Sequence, residues 1–179
     1  LFGKHNIFLT GLYSAQGYHQ EGNGIEATGF PNDVMTFYQP DKASFMAPYA
    51  SQDKSNHVSQ MVRANYSYDS RYLFTATVRR DGFSAFGSDR KYGVFPSIAF
   101  GWNITNESFV RGTSFNDVVN NLKLRVSWGE NGNEAISPYS SLPNLRSLDY
   151  LSNDHSPLFG FYPSRLASAI LGWETTTST

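Results

Sequence analysis

Four stretches of this chain alternate apolar and polar residues with a period of two, and that pattern leaves them little freedom. Successive side chains of a strand point to opposite faces, so a period of two specifies a two-faced strand. In 57–68, Val58, Val62, Ala64, Tyr66 and Tyr68 share one parity, and Ser59, Arg63, Asn65 and Ser67 the other. In 71–80, Tyr72, Phe74, Ala76 and Val78 alternate with Arg71, Leu73, Thr75, Thr77 and Arg79. In 92–104, Tyr92, Val94, Pro96, Ile98, Phe100, Trp102 and Ile104 alternate with Gly93, Phe95, Ser97, Ala99, Gly101 and Asn103. In 122–130, Leu122, Leu124, Val126 and Trp128 alternate with Lys123, Arg125 and Ser127. The spacing predicts an all-β chain of antiparallel amphipathic strands, each about the 9–11 residues that cross a bilayer when tilted. A weaker strand is expected over 6–14, and another from Trp173.

Alternation is common to two architectures. A soluble sandwich buries its apolar face in a core, whereas a membrane barrel turns that face to lipid and keeps a polar lumen. Composition helps to separate them. Charged residues make up 16% of the chain, against roughly 25% in an ordinary soluble domain. Aromatic residues also make up 16%. Tyr66, Tyr68, Tyr72 and Trp102 gather near strand ends, where amphipathic rings suit the lipid–water boundary. The expectation is therefore a barrel wall. Val62, Phe74, Val78, Ile98, Phe100, Leu124 and Val126 would face lipid. Arg63, Asn65, Thr75, Thr77, Arg79, Lys123 and Arg125 would face the lumen. The alternative is a soluble all-β carbohydrate-binding module.

The connections differ in length. Asp69-Ser70 marks a tight turn, and 81–91 is a medium link rich in Gly and Ser. The stretches 15–56 and 131–172, punctuated by Gly and Pro, read as long irregular loops. In 105–121, Ser114 to Asp117 ahead of Val118 and Val119 predicts a short helical turn. If the strands run up and down, the long loops share one rim, as in outer-membrane barrels. Pro96 falls mid-strand and is expected to mark a bulge. Asn131-Gly132 is a hairpin signal or the start of a long loop.

Several function classes drop out. The formal net charge of −1 leaves no electrostatic footprint for nucleic acid. The chain has no Cys, hence no thiol chemistry or Cys-based zinc site. No catalytic motif is present, so no enzyme activity and no cofactor are expected. His5, His19, His57 and His155 form no ligand spacing, and no metal is expected. Asp81 and Asp89 suit a cation or, more commonly for Asp in turns, hairpin polarity. Tyr38, Phe45, Tyr49, Tyr139, Tyr150, Phe159, Phe161 and Tyr162 fall in the expected loops. Their rings suit sugar stacking, packing of loop on loop, or docking of a protein lid.

The blocks 71–82 (RYLFTATVRRDG), Phe86-Gly87, 93–97 (GVFPS), Gly101-Trp102, 121–129 (NLKLRVSWG) and Gly132-Asn133 follow one another in order. With 29–32 (GFPN), 65–68 (NYSY) and 171–175 (LGWET), they make the chain resemble the SusC/RagA family of TonB-dependent outer-membrane transporters. Such transporters are plugged barrels of roughly 22 strands. The resemblance implies that 1–179 is a partial barrel domain, an incomplete segment without plug or remaining strands. It also implies long extracellular loops, one short helical periplasmic turn, and the outer membrane of a Gram-negative bacterium. The implied partners are a SusD-like surface lipoprotein, the TonB system through regions outside this chain, membrane lipid, and a glycan or peptide cargo.

Overall fold

The computed structural model describes every residue except 1–2, 35–36, 112, 114–118 and 152–156. The expected helical turn at 114–118 and His155 lie outside the described residues. The chain forms two compact units, residues 1–16 with 56–179, and residues 17–55. Eight strands run in order: β1 (His5–Thr28), β2 (Phe45–Tyr68), β3 (Tyr72–Phe83), β4 (Tyr92–Asn103), β5 (Lys123–Asn133), β6 (Asn144–Leu151), β7 (Pro157–Arg165) and β8 (Glu174–Ser178). Six form one sheet in the order β1-β2-β3-β4-β5-β8, and β6 pairs with β7 separately.

The four alternating stretches form the middle of the large sheet, in one continuous antiparallel register. Val62 stands opposite Val78, and Val78 opposite Pro96. Ala64, Ala76, Ile98 and Trp128 share the next rung of that parity, and Tyr66, Phe74, Phe100 and Val126 the one after. Tyr68, Tyr72, Trp102 and Leu124 form the last. Pleating therefore gathers the apolar residues of four strands onto one face. Asp69 and Ser70 both take positive φ, 51° and 54°, the geometry of a type I′ hairpin turn.

Three local expectations are corrected. The stretch 15–56 is largely strand, because β1 runs on to Thr28 and β2 starts at Phe45. Gly22, Gly24 and Pro48 lie within these strands, while Gly29, Pro31 and Pro40 fall in the connection between them. The Tyr49 ring lies where a Cβ on Gly24 would sit, within 2.5 Å, so that glycine makes room for a cross-strand ring. Pro48 is tolerated because β3 pairs only with residues from His57 onward, leaving one side of β2 open there. Second, 131–172 is not one irregular loop. Asn131 and Gly132 stay within β5, opposite Thr176 and Thr175, and Asn144–Leu151 pairs antiparallel with Pro157–Arg165 as β6 and β7. Third, Pro96 makes no bulge with β3. The β4–β5 ladder begins one residue later, at Ser97 opposite Gly129, so the missing donor falls at a ladder end. A 3-10 turn at Ile104–Asn106 follows β4 directly.

Burial is sparse. The core of the first unit is Phe83, Ala85 and Phe86, joined by Ile136, Leu171 and Trp173. It sits at the end of the sheet where β3 leads into β4.

Candidate functional site

The site is the large sheet itself, because its two faces differ in chemistry. On the apolar face Val62 is 64% exposed and Val126 63%, and Phe74, Val78, Ile98, Phe100 and Leu124 are also exposed. A sandwich would bury this face under a second sheet. Here seven large apolar side chains stand open, an arrangement that costs too much in water to be a soluble surface.

The opposite face is polar and cross-linked. Arg63 Nε donates to Thr77 Oγ1 at 3.1 Å, and Thr75 Oγ1 donates to Asn65 Oδ1 at 3.0 Å. Arg79 Nε meets the Asp81 carboxylate at 2.7 Å, with Asp81 itself buried. The two charges thereby balance each other. Asp89 accepts a bond from Ser88 Oγ. Arg125 lines the same groove, about 570 Å³ in volume, with Arg63, Thr77 and Arg79. Lys123 lies farther along this face, against Gly101. Hydroxyls, amides and guanidinium groups on one hollow surface can hydrogen-bond hydrated, polyhydroxyl or anionic material. Among the described residues no group of three or more His, Asp and Glu could hold a metal ion.

Phe95 has the parity of the polar face yet is buried, its ring 5.4 Å from that of Trp173. Phe86 lies 5.0 Å from Trp173 and is 1% exposed. Phe95 lines that groove, and Trp173 Nε1 donates to the Lys91 carbonyl at 3.2 Å. His57 stacks on Phe83 at 4.2 Å and meets Glu134 at 3.2 Å. His5 bonds Tyr66 OH, and His19 bonds Gln52. These three histidines are strand residues with separate partners.

The short-turn end is held differently, by a residue the sequence does not advertise. Glu107, 6% exposed, accepts Tyr72 OH at 2.8 Å, Trp102 Nε1 at 3.0 Å and Arg71 Nη1 at 3.2 Å. The Trp102 bond, then the Tyr72 bond and the Arg71 charge, hold the Glu107 carboxyl below its usual range, against the effect of burial. Arg71 also pairs with Asp69 at 3.0 Å, and Lys4 reaches Asp69 at 3.2 Å. The Lys4 bond holds Asp69 low as well.

Of the eight aromatic residues expected in loops, Phe45 and Tyr49 lie in β2, Tyr150 in β6, and Phe159, Phe161 and Tyr162 in β7. Only Tyr38 and Tyr139 are in connections. Within the second unit Tyr49 joins Ile25, Phe30, Phe37, Pro40 and Pro48 around an apolar hollow of about 710 Å³. Phe159 and Phe161 project from one face of β7 and are each 75% exposed.

Strands of crossing length with one open apolar face, one polar face, and aromatic rings along the short-turn edge are the wall of a transmembrane β-barrel. The comparisons agree. TonB-dependent receptor P3 of Formosa agariphila is 35% identical over 175 residues, 97% of this chain and 17% of its own length. TonB-dependent receptor SusC of Bacteroides thetaiotaomicron is 36% identical over 167 residues, 89% of this chain and 16% of its own length. The RagAB peptide importer in its closed-closed state superposes with a TM-score of 0.70 at 25% identity, over 97% of this chain and 19% of that one. No family model matches the chain. The chain belongs to the SusC/RagA-type TonB-dependent receptors, which are outer-membrane proteins of Gram-negative bacteria. It spans about a sixth of the length of the curated relatives it matches.

Proposed function

We propose that residues 1–179 form one arc of the barrel of a TonB-dependent importer of large nutrients. The observation that carries this is the separation of the faces. Val62, Phe74, Val78, Ile98, Phe100, Leu124 and Val126 lie against lipid in this reading. Arg63, Asn65, Thr75, Thr77, Arg79, Lys123 and Arg125 line a wet lumen. Cargo is a glycan or a peptide, the second supported by the likeness to a peptide importer. A SusD-like lipoprotein covers the rim carrying the 84–91 and 134–173 connections. TonB supplies energy through parts of the receptor outside this chain, and the wall does no chemistry on the cargo.

Nitroxide labels placed one at a time test the assignment, since this chain has no Cys of its own. Labels at positions 74, 78 and 126 are expected to collide with oxygen dissolved in lipid. Labels at 75, 77 and 125 are expected to collide with a water-soluble nickel chelate. The reverse pattern, or water access on both faces, rejects the reading. Phe74→Arg is expected to cost about 2–4 kcal/mol in a bilayer. The measurement is reversible unfolding of the receptor in lipid vesicles.

A further inference from the structure

One residue breaks the pattern of the apolar face. Arg80 stands opposite Gln60 on β2 and Val94 on β4, which gives it the parity of Val62 and Val78. It is the only charged residue of that parity on the paired rungs of β2, β3 and β4. Among the described residues no carboxylate pairs with it. Its guanidinium lies 4.2 Å from the centre of the Tyr92 ring. That ring sits where a Cβ on Gly82 would be, within 2.5 Å, so glycine lets it lie down on β3 beneath the cation. Stacking holds the guanidinium in place while leaving its N–H groups free to donate.

The depth of this pair along the wall is fixed by the register. Tyr72 stands opposite Trp102 at the short-turn edge, and Gly82 opposite Tyr92 ten residues on. At about 3.3 Å per residue and a tilt of about 40°, ten residues rise about 25 Å, the height of the apolar band of such barrels. Tyr92 therefore lies at the opposite lipid boundary, and Arg80, two residues or about 5 Å inside it, reaches toward it along the Tyr92 ring, where an outward-facing arginine is tolerated and headgroups are found. Immediately toward the middle of the wall, Leu12, Tyr13, Gln60, Val62 and Val78 line an apolar groove of about 530 Å³ with Arg80 at its margin.

We propose that this is a binding site for an acidic membrane lipid: the anionic phosphate headgroup bonds Arg80, and an acyl chain lies in the groove over Val62 and Val78. The charge of the headgroup answers the unpaired guanidinium, and the chain answers the open apolar floor. The inference rests on the reading of this face as lipid-facing. An ordered lipid here would fix the β1–β2–β3 part of the wall at a set depth.

The test uses the receptor carrying this segment, reconstituted in nanodiscs of phosphatidylcholine containing a minor fraction of phosphatidylglycerol. Lipids retained after gentle detergent extraction are counted by native mass spectrometry. The unsubstituted receptor is expected to retain the acidic lipid selectively. Arg80→Gln is expected to lower that selectivity about tenfold or more, as loss of a charge-assisted contact does. Val62→Trp, which fills the groove and leaves Arg80 intact, is expected to lower retention too. Equal selectivity in the unsubstituted receptor and both folded variants overturns the proposal. Displacement by millimolar inorganic phosphate overturns it as well, because the site would then be one for a free anion. The nitroxide measurement at 78 and 126 separates the two failures. Water access there rejects the wall reading itself, whereas lipid access with unchanged selectivity rejects only the lipid site.

Discussion

The two ends of the sheet are fastened by different chemistry. At the short-turn end, Glu107 and Asp69 collect Trp102, Tyr72, Arg71 and Lys4 through hydrogen bonds and ion pairs. At the other end, Phe83, Phe86, Phe95 and Trp173 pack ring on ring, with ring centres 5.0–5.4 Å apart for the contacts of Phe86 and of Trp173 with Phe95. A fastening made of charge answers to pH, and a fastening made of apolar area answers to volume. The difference follows from what each end must hold. The short-turn end ties a tight hairpin and a 3-10 turn to girdle residues whose polar tips need partners. The long-loop end must anchor two extended connections, which offer side chains rather than regular backbone pairing. Each end therefore has its own perturbation, independent of the other.

The largest effect is expected from Phe86→Ala. Phe86 is the one large side chain fully buried among the described residues, and truncating such a residue costs about 3–5 kcal/mol. Hydrogen exchange of the receptor in detergent should show strong deprotection of 83–91 and 169–173. Gly87 donates to the Leu171 carbonyl there, and Leu171 packs against the Phe83–Phe86 cluster. Exchange at 69–72 and 103–107 should not move. Deprotection of both ends would mean that one cooperative unit spans the sheet, and the contrast drawn here would fail.

How much of this was legible in the residues depends on the range of the interaction. The two faces were legible because the pleat is local: parity in 57–68, 71–80, 92–104 and 122–130 places Val62, Val78 and Phe100 together whatever the rest of the fold does. Register and strand order follow once the turns are found. Strand ends were less legible. Gly22, Gly24 and Pro48 normally announce a loop, but an open strand edge and a cross-strand tyrosine remove the usual penalty. The β6–β7 hairpin was hidden by Pro157 and Pro163 in the same way. Glu107 was illegible because two of its partners, Arg71 and Tyr72, lie 36 and 35 residues away. Phe95 carried a usable signal, a large apolar residue on the polar parity. Arg80 carried the converse, a cation on the apolar parity.

Acidification should give a smaller effect, confined to the short-turn end. Glu107 and Asp69 both have carboxyls held below their ordinary values of 4.5 and 3.8. A depressed carboxylate pKa means that the folded state binds protons less readily than the unfolded one. Its stabilisation is complete above the ordinary value and is lost as pH falls through the lower folded value. The short-turn end should therefore hold steady above about pH 5 and loosen below pH 4. Trp102 and Trp173 report the two ends separately, because one donates to Glu107 and the other to a backbone carbonyl. In a receptor whose other tryptophans are replaced by Phe, Trp102 emission should shift on acidification and Trp173 emission should not. Glu107→Gln should remove most of the Trp102 shift. Equal shifts at both tryptophans would place the titrating group elsewhere.

The smallest effect is expected at Lys4. Its pair with Asp69 is the most exposed part of the short-turn cluster, with Lys4 61% accessible. Water and salt screen such a charge, and holding a long side chain still costs entropy. Asp69 retains Arg71 when Lys4 is lost, and the Lys4 carbonyl still accepts the Asp69 N–H at 2.8 Å. The turn is thus tied to β1 by backbone, not by the ammonium group. Lys4→Ala should leave exchange at 69–72 unchanged within error at physiological salt, and the Trp102 shift, which follows Glu107, should stay where it is. A large deprotection of the turn would show that the exposed pair, rather than buried Glu107, holds this end. The charge-based fastening would then belong to the surface and respond to salt more than to acid.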